Sequence, residues 1–278
     1  WRRSAASPAI RAAMAFALLA QAVVTPLAAQ PTGADSPPAI TGSEPGPRPP
    51  APDPMFGDGG AGPFYEWDRA IPDGPPDILR LERIAPDHAL AEAALSDRIL
   101  HTSRGGHDGK QPIIVSAAVY LPKGTPPPGG WPIIAWAHGT VGFADICAPS
   151  FSGWAERDVA YLNNWLKQGY AVVASDYEGL GTAGPHPYMM SRSAATGVLH
   201  SVLAAQGRYP LSNDLVIVGQ SQGAHAAASA GLLQPEIAPG IHLRGLVLTG
   251  WPGTMEMPPL QMDRYDVAAM LYIRFLPT

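Results

Sequence analysis

The chain has 278 residues, of which 46% are hydrophobic and 15% are charged, and its formal net charge is −5. This composition supplies enough apolar material for one sizeable core, and α/β domains of this length are often single. A basic face is the electrostatic footprint of nucleic-acid binding, and the low, mildly acidic charge gives no sign of one. We therefore expect a globular domain without a nucleic-acid partner.

The first 29 residues have the pattern of an export signal. Three arginines precede an apolar run from Ala12 to Val24, and small residues up to Ala29 follow that run. We predict cleavage near Ala29 and a secreted or periplasmic protein. Removal of residues 1–29 removes three arginines and no acids, so the mature net charge is −5 − 3 = −8.

The chain begins with Trp1 rather than with methionine, so we expect its natural start to lie upstream. Residues 30–63 are rich in proline, glycine, alanine and serine and hold few large apolar side chains. Such a segment cannot bury enough surface to fold, which predicts a disordered linker. Order is expected to begin near Phe64 and Tyr65.

The remaining sequence predicts an antiparallel hairpin followed by alternating strands and helices. Residues 96–102 and 113–121 have the pattern of two strands joined by a turn-rich segment, and we expect this hairpin at an edge of the sheet. Short apolar runs predict buried strands, and their alternation with helices implies a mainly parallel sheet covered on both faces. The runs are 133–137, 171–175, 215–218 and 243–248, and the predicted helices are 154–168, 191–205 and 222–233.

The third of these apolar runs leads directly into Gly219-Gln220-Ser221-Gln222-Gly223, and a run of small residues follows. A strand, a tight turn and a helix around Gly-x-Ser-x-Gly are the context of a nucleophile elbow, which lifts the serine hydroxyl clear of its neighbours. Glycine is expected at positions 219 and 223 because side chains there would clash with the strand and the helix. Ser221 is therefore the candidate nucleophile; the alternative is an ordinary turn with a helix-capping serine.

A second loop follows the strand at 133–137 and contains His138, Gly139 and Thr140. The oxyanion hole of a serine hydrolase uses the backbone N–H after the nucleophile and one from an earlier strand-to-helix loop. We assign these roles to the N–H groups of Gln222 and Thr140. His138 and Gly139 are interpreted as residues that shape the loop.

A third loop follows the strand at 171–175 and contains Asp176, Tyr177 and Glu178. The order of the triad on this fold is serine, then acid, then histidine, and both carboxylates precede Ser221. We therefore expect these three residues to support neighbouring loops and to line the floor of the pocket.

His200, His225 and His242 do not have the position of a catalytic base. His225 lies on the helix that follows Ser221 and is expected to point away from it, while His200 lies in a predicted helix and His242 before a strand. Histidine, cysteine and acidic residues show no metal-ligand spacing, and no phosphate-binding glycine loop is present. We expect neither a metal nor a cofactor.

Four motifs occur together in this chain: Trp136-Ala137-His138-Gly139-Thr140, Cys147-Ala148-Pro149-Ser150, Ser175-Asp176-Tyr177-Glu178-Gly179-Leu180-Gly181 and the Gly-x-Ser-x-Gly sequence. Their combination resembles the secretory lipase family, the lipase-A-like branch of the α/β hydrolases. The likeness covers roughly residues 64–253. It implies the α/β-hydrolase fold and an exported carboxylic-ester hydrolase that acts on acylglycerols or simpler esters without a cofactor.

The resemblance also implies a helical cap beginning within residues 254–278, and after it a triad acid and a triad histidine. Neither is present in this chain, in which His225 and His242 are the histidines after Ser221. We therefore expect the sequence to be a fragment of a longer reading frame. The single cysteine, Cys147, is a buried thiol, a reactive thiol or half of a disulfide whose partner lies in the missing part.

The sequence is compatible with three functional hypotheses. The first is a lipase whose substrate is a small-molecule or lipid ester, with a lipid–water interface as a possible place of action. The second keeps the same machinery in a short-chain carboxylesterase or an acyltransferase. The third is a truncated, non-catalytic domain that binds acyl ligands, and the oligomeric state is left open by all three.

Overall fold

The computed structural model describes residues 60–105 and 108–251. The predicted export signal, nearly all of the predicted linker and the predicted start of the cap lie outside these residues. Among the described helices, none combines the length and the apolar character needed to cross a membrane.

Seven strands of the described part form one mixed sheet in the order β1-β2-β3-β5-β4-β6-β7. The strands β5, β4, β6 and β7 are parallel to one another, whereas β1, β2 and β3 form antiparallel pairs and β3 is antiparallel to β5. The bounds are β1 Ile78–Arg83, β2 Ala93–Gly105, β3 Gln111–Pro122, β4 Trp131–Ala137, β5 Ala171–Ser175, β6 Leu211–Gln220 and β7 His242–Thr249.

The helices of the described part alternate with the parallel strands, as the sequence predicted. The long helices begin and end within four residues of the predicted bounds. A 3-10 turn and a four-residue helix after β4 were not predicted. The bounds are α1 Pro149–Ser152, α2 Glu156–Lys167, α3 Ser191–Gln206 and α4 Gln222–Ile237, with the 3-10 turn at Asp145–Cys147.

The predicted hairpin is present as β2 and β3, but its predicted place at the edge of the sheet is wrong. Strand β1 pairs with the outer side of β2 and is the edge strand of the described sheet. Its sequence, Ile-Leu-Arg-Leu-Glu-Arg, lacks a continuous apolar run because three of its six residues are charged, and its last three residues are exposed. Arg83 of β1 bonds Asp97 of β2 at 3.0 Å, and Arg98 of β2 bonds Glu82 of β1.

Both faces of the sheet are covered by helices, which is why the parallel strands are continuously apolar. One face packs against α3 and α4, with Leu199, Val202 and Ala226 among its buried contacts. The other face packs against α2 through Leu162 and Leu166. The layered α/β fold predicted from the sequence is confirmed, and the carboxyl ends of β4, β5 and β6 bring the three motif-bearing loops to one edge of the sheet.

Candidate active site

Ser221 occupies the single position between the end of β6 and the start of α4. Its backbone has φ 54° and ψ −117°, a conformation that costs a non-glycine residue of order 1–3 kcal/mol. The turn is held on both sides: the N–H of Ser221 donates to the carbonyl oxygen of Thr249 at 2.9 Å, and its own carbonyl accepts from the N–H of Ala224 at 2.9 Å. The surrounding strands and helix therefore stabilise a strained serine at the carboxyl end of the sheet.

The two glycines that flank Ser221 are required by close backbone contacts. A β-carbon at Gly219 would lie 2.0 Å from the carbonyl oxygen of Gly223. A β-carbon at Gly223 would lie 1.8 Å from the carbonyl oxygen of Ala137, the last residue of β4. These distances are far inside van der Waals contact, so β4, β6 and α4 meet at this turn with no space for a side chain.

The hydroxyl of Ser221 has no hydrogen-bonding partner within the described residues, and none of the described histidines bonds it. His225, one turn along α4, instead bonds the hydroxyl of Ser191 through Nε2 at 3.0 Å. Asp176 lies in the loop after β5 and is bound to other residues. Within the described residues, Ser221 thus lies at a strained strand-to-helix turn, and no histidine or carboxylate bonds its hydroxyl.

The two predicted oxyanion donors belong to the loop after β4 and to the first turn of α4. Thr140 is exposed, and Gln222 is 5% exposed. In the described part of the chain, neither backbone N–H has an acceptor. The first N–H groups of a helix have no intrahelical partner, so the Gln222 N–H is available at the positive end of the helix dipole.

His138, in the loop after β4, is fully buried and is neutral at ordinary pH. Its Nδ1 lies 2.7 Å from the carbonyl oxygen of Gly139, and its ring packs against Tyr177 with centroids 4.4 Å apart. Burial lowers the pKa of His138 to about 4, because the charged ring would lose its hydration. The Tyr177 hydroxyl donates to the carbonyl oxygen of His138 at 2.9 Å, which links the loops after β4 and β5.

Asp176 is fully buried and is bound by the hydroxyls and one amide of two serines. Its Oδ1 accepts from the N–H of Ser150 at 2.9 Å, and its Oδ2 accepts from the hydroxyl of Ser116 at 2.6 Å and from that of Ser150. Burial raises its pKa to about 6, although these hydrogen bonds pull in the opposite direction. The carboxylate therefore ties α1 and β3 to the end of β5.

Glu178 connects the loop after β5 with α3. Its carboxylate accepts from the hydroxyl of Ser193, and its backbone carbonyl accepts from Nδ1 of His186 at 2.7 Å. His186 in turn contacts Gln222, and Tyr188 contacts Thr140. This arrangement brings a segment of the long loop before α3 against both predicted oxyanion donors.

His186 and Tyr188 were not predicted to belong to the site. They lie in Ala183-Gly184-Pro185-His186-Pro187-Tyr188, a proline-rich stretch with neither strand nor helix periodicity. Their contacts join residues 36 and 48 positions apart, which no local pattern indicates. The available signal was a histidine between two prolines in the loop that leads to α3.

Apolar side chains lie exposed next to Thr140. Val141 is 43% exposed and Phe143 is 47% exposed, and the Phe143 ring packs edge-on against Tyr188 with centroids 5.1 Å apart. Cys147, in the 3-10 turn behind this loop, is a free, half-buried thiol. In residues 60–105 and 108–251, histidine, cysteine and acidic side chains form no cluster of three that could hold a metal ion.

Comparison with known proteins shows which family this sequence resembles. The model of the secretory lipase family matches residues 152–269, a stretch that contains Ser221. The predicted family resemblance is confirmed. Among individual secretory-lipase-like sequences, Lipase 7 of Candida albicans is 29% identical over 111 residues, which cover 36% of this chain and 25% of Lipase 7.

Solved structures show the same fold. Candida antarctica lipase A in its closed state matches with a TM-score of 0.58 and 23% identity over 73% of this chain and 47% of the lipase. A further structure of that lipase matches with a TM-score of 0.52 and 22% identity over 63% and 42% of the two chains. The fold is thus that of the α/β hydrolases, and this secretory-lipase-like chain spans less than half the length of the solved lipase.

Proposed function

We propose that this protein is a secreted serine hydrolase of carboxylic esters, a lipase, with Ser221 as its nucleophile. The observation that carries the proposal is the strained turn at Ser221. A backbone of φ 54° between a buried strand and a helix persists only where the surroundings hold it, and such strain concentrates at functional positions. The match to the secretory lipase family over residues 152–269 supports the same assignment.

The proposed reaction follows the acyl-enzyme route of serine hydrolases. The Ser221 oxygen attacks the ester carbonyl while its proton passes to a base, and the alcohol then leaves with a proton from that base. The N–H groups of Thr140 and Gln222 stabilise the oxyanion, a contribution commonly worth about 3–4 kcal/mol per donor. Water activated by the same base hydrolyses the acyl-enzyme and releases the acid.

The base and its acid partner belong, in this proposal, to a part of the enzyme outside the described residues. Three histidines of the described part do bond a serine hydroxyl, but none bonds Ser221. His101 bonds Ser201, His200 bonds Ser103, and His225 bonds Ser191, each at 3.0 Å. The first two pairs are buried and join β2 to α3, whereas the Ser191 pair is exposed.

The proposed substrates are acylglycerols or simpler acyl esters. Val141 and Phe143 expose apolar surface beside the Thr140 donor, where an acyl chain would meet it. An exported enzyme with such a rim suits a lipid–water interface, and the family match supports export. The proposed chemistry draws on side chains and backbone N–H groups, so no cofactor is invoked.

The hydrolysis of p-nitrophenyl esters of increasing chain length by the full-length protein tests this proposal. Ser221→Ala should lower kcat/KM by at least about 10⁴-fold while the fold is kept. Ser191→Ala is the matched control, because it removes the exposed serine that bonds His225, and it should change kcat/KM by less than about twofold. Retained activity in Ser221→Ala would overturn the assignment.

Two other functions are separated by the same assay. A preference for short, soluble esters would indicate a carboxylesterase, and formation of a new ester with an added alcohol would indicate an acyltransferase.

A non-catalytic domain that binds acyl ligands is a further candidate function, because no histidine of the described part bonds Ser221. Such a domain would bind a fatty acid but show no turnover dependent on Ser221.

A further inference from the structure

We propose that His186 and Tyr188 are positioning residues that hold the two oxyanion donors of the site in register. The inference rests on the proposed function, since it concerns the donors assigned to Thr140 and Gln222. The donors come from separate elements, and they stabilise an oxyanion only when both lie about 3 Å from one atom. We call the segment from Pro185 to Tyr188 the clamp segment.

One end of the clamp segment binds the helix that carries the Gln222 donor. Nε2 of His186 lies 2.9 Å from Nε2 of the Gln222 side chain, and Nδ1 of His186 lies 2.7 Å from the carbonyl oxygen of Glu178. A carbonyl oxygen only accepts, so Nδ1 carries the proton of a neutral ring. Nε2 is then an acceptor, and the Gln222 amide donates to it.

Burial keeps His186 in this form. Burial lowers the pKa of the ring below its ordinary value. Among the described residues, the ring is faced by the side chains of Gln222, His138, Tyr177, Tyr188 and Phe143 and by the backbone of Glu178. A neutral ring is required for the Gln222 contact, because a protonated His186 would present N–H groups on both nitrogens. The Gln222 side chain is therefore held on the clamp segment by its hydrogen bond to His186.

The other end of the clamp segment binds the loop that carries the Thr140 donor. The hydroxyl of Tyr188 lies 2.7 Å from the hydroxyl of Thr140, and the Tyr188 ring is buried while Thr140 is exposed. An exposed loop residue has several accessible conformations, and a hydrogen bond to a buried tyrosine reduces them. Tyr188 thus restrains the loop that must present its N–H to the oxyanion.

The clamp segment itself is fixed by tight packing. A β-carbon at Gly179 would lie 2.5 Å from the carbonyl carbon of Pro185, so these two parts of the loop between β5 and α3 are in close backbone contact. The His186 ring stacks on Tyr177 with centroids 6.2 Å apart and planes at 20°. Because Tyr177 also bonds the loop after β4, the segment has a rigid base from which to hold both donors.

The test compares kcat and KM of the full-length protein with those of His186→Phe and Tyr188→Phe. Each variant should lower kcat by about 10- to 100-fold with KM within about twofold, because an oxyanion exists only in the transition state and the tetrahedral intermediate. Tyr120→Phe is the matched control: it removes a buried tyrosine hydroxyl that accepts from Trp154 at 2.7 Å, on the face of the sheet that packs against α2, and it should leave kcat unchanged.

A rescue variant and a spectroscopic readout distinguish positioning from general destabilisation. His186→Gln places an acceptor oxygen near the position of Nε2 and should recover most of the kcat lost in His186→Phe. In the Ser221→Ala protein, ¹⁵N spectra of histidine should show that His186 is protonated on Nδ1 and unprotonated on Nε2. The additional substitution Gln222→Met should shift the Nε2 signal, because it removes the amide that donates to this nitrogen. Protonated Nε2, or no response to Gln222→Met, would overturn the clamp.

The failure of the clamp and the failure of the proposed function give different results. If hydrolysis depends on Ser221 but His186→Phe and Tyr188→Phe keep full kcat, the function stands and the positioning role is wrong. If Ser221→Ala retains hydrolysis, the proposed function is wrong and the catalytic role of the clamp falls with it. The spectra decide the His186 to Gln222 contact in either case.

Discussion

Gly223 lies against Ala137 so closely that a β-carbon on the glycine would come within 1.8 Å of the alanine carbonyl oxygen. This contact joins the first turn of α4 to the end of β4, and it sets the distance between the Ser221 turn and the loop that carries Thr140. The proposed chemistry needs the Ser221 turn and the Thr140 loop close together, and this approach is possible because glycine at position 223 has no side chain.

Alanine at position 223 or 219 should therefore disrupt the elbow. Either substitution forces the strand and the helix apart, and we expect a loss of about 3 kcal/mol or more in the free energy of unfolding, together with loss of hydrolysis. Gly240→Ala is the control, since nothing lies within 4 Å of a β-carbon there, and it should change stability by less than about 0.5 kcal/mol. Urea unfolding measures all three; a Gly223→Ala protein as stable as Gly240→Ala would contradict the contact.

The strain at Ser221 predicts that Ser221→Gly is more stable than Ser221→Ala. Ser221→Gly and Ser221→Ala both delete the hydroxyl, but only glycine adopts φ 54° and ψ −117° without a steric cost. The glycine variant should be about 1 kcal/mol more stable than the alanine variant, after the larger entropy of unfolded glycine is allowed for. Equal stability, or a more stable alanine variant, would show that the turn is not strained.

The buried histidines predict acid sensitivity. His101, His138 and His200 each have a folded pKa of about 4, lowered by burial, whereas an unfolded histidine titrates near 6.5. Between those values the unfolded chain binds protons that the folded chain rejects, so stability falls as the pH falls through this window. Asp176 acts in the opposite sense. Its pKa is about 6 in the folded protein and 3.8 for an ordinary carboxyl, so its contribution to stability is present at low pH and lost as the pH rises through 6.

Three histidines outweigh one carboxyl, and we expect a net loss on the order of 4 kcal/mol between pH 7 and pH 5. Urea unfolding at the two pH values checks this expectation. In Asp176→Asn the opposing group is gone, so the difference between the two pH values should grow. A wild-type protein that is as stable at pH 5 as at pH 7 would rule out the buried neutral histidines.

The strands and helices around Ser221 could be predicted because their signals are local. A buried parallel strand is a continuous apolar run, and Gly-x-Ser-x-Gly at its end marks the turn into α4. The edge strand Ile78–Arg83 was missed for the opposite reason: three of its six residues are charged, and its ion pairs with β2 become visible only once the strands are paired.

The packing around the elbow could not be predicted, because it depends on contacts between loops that are distant in sequence. Ser150 bonds Asp176 across 26 residues, and His186 bonds Gln222 across 36. Each of these side chains has several equally plausible roles in the sequence alone. The contacts that these side chains make are determined by the fold, which places the carboxyl ends of β4, β5 and β6 side by side.

The most direct test of the account is the site at which a fluorophosphonate probe labels the full-length protein, located by mass spectrometry of the digested product. An activated serine reacts with the probe. Of the described serines that bond histidine, Ser103 and Ser201 are buried, and Ser191 lies in α3 rather than at a strand-to-helix turn. The account predicts a single label on Ser221, which is lost in Ser221→Ala and kept in Ser191→Ala. A folded full-length protein that takes up no label, or takes it up at Ser191, would contradict the assignment of Ser221 as the nucleophile.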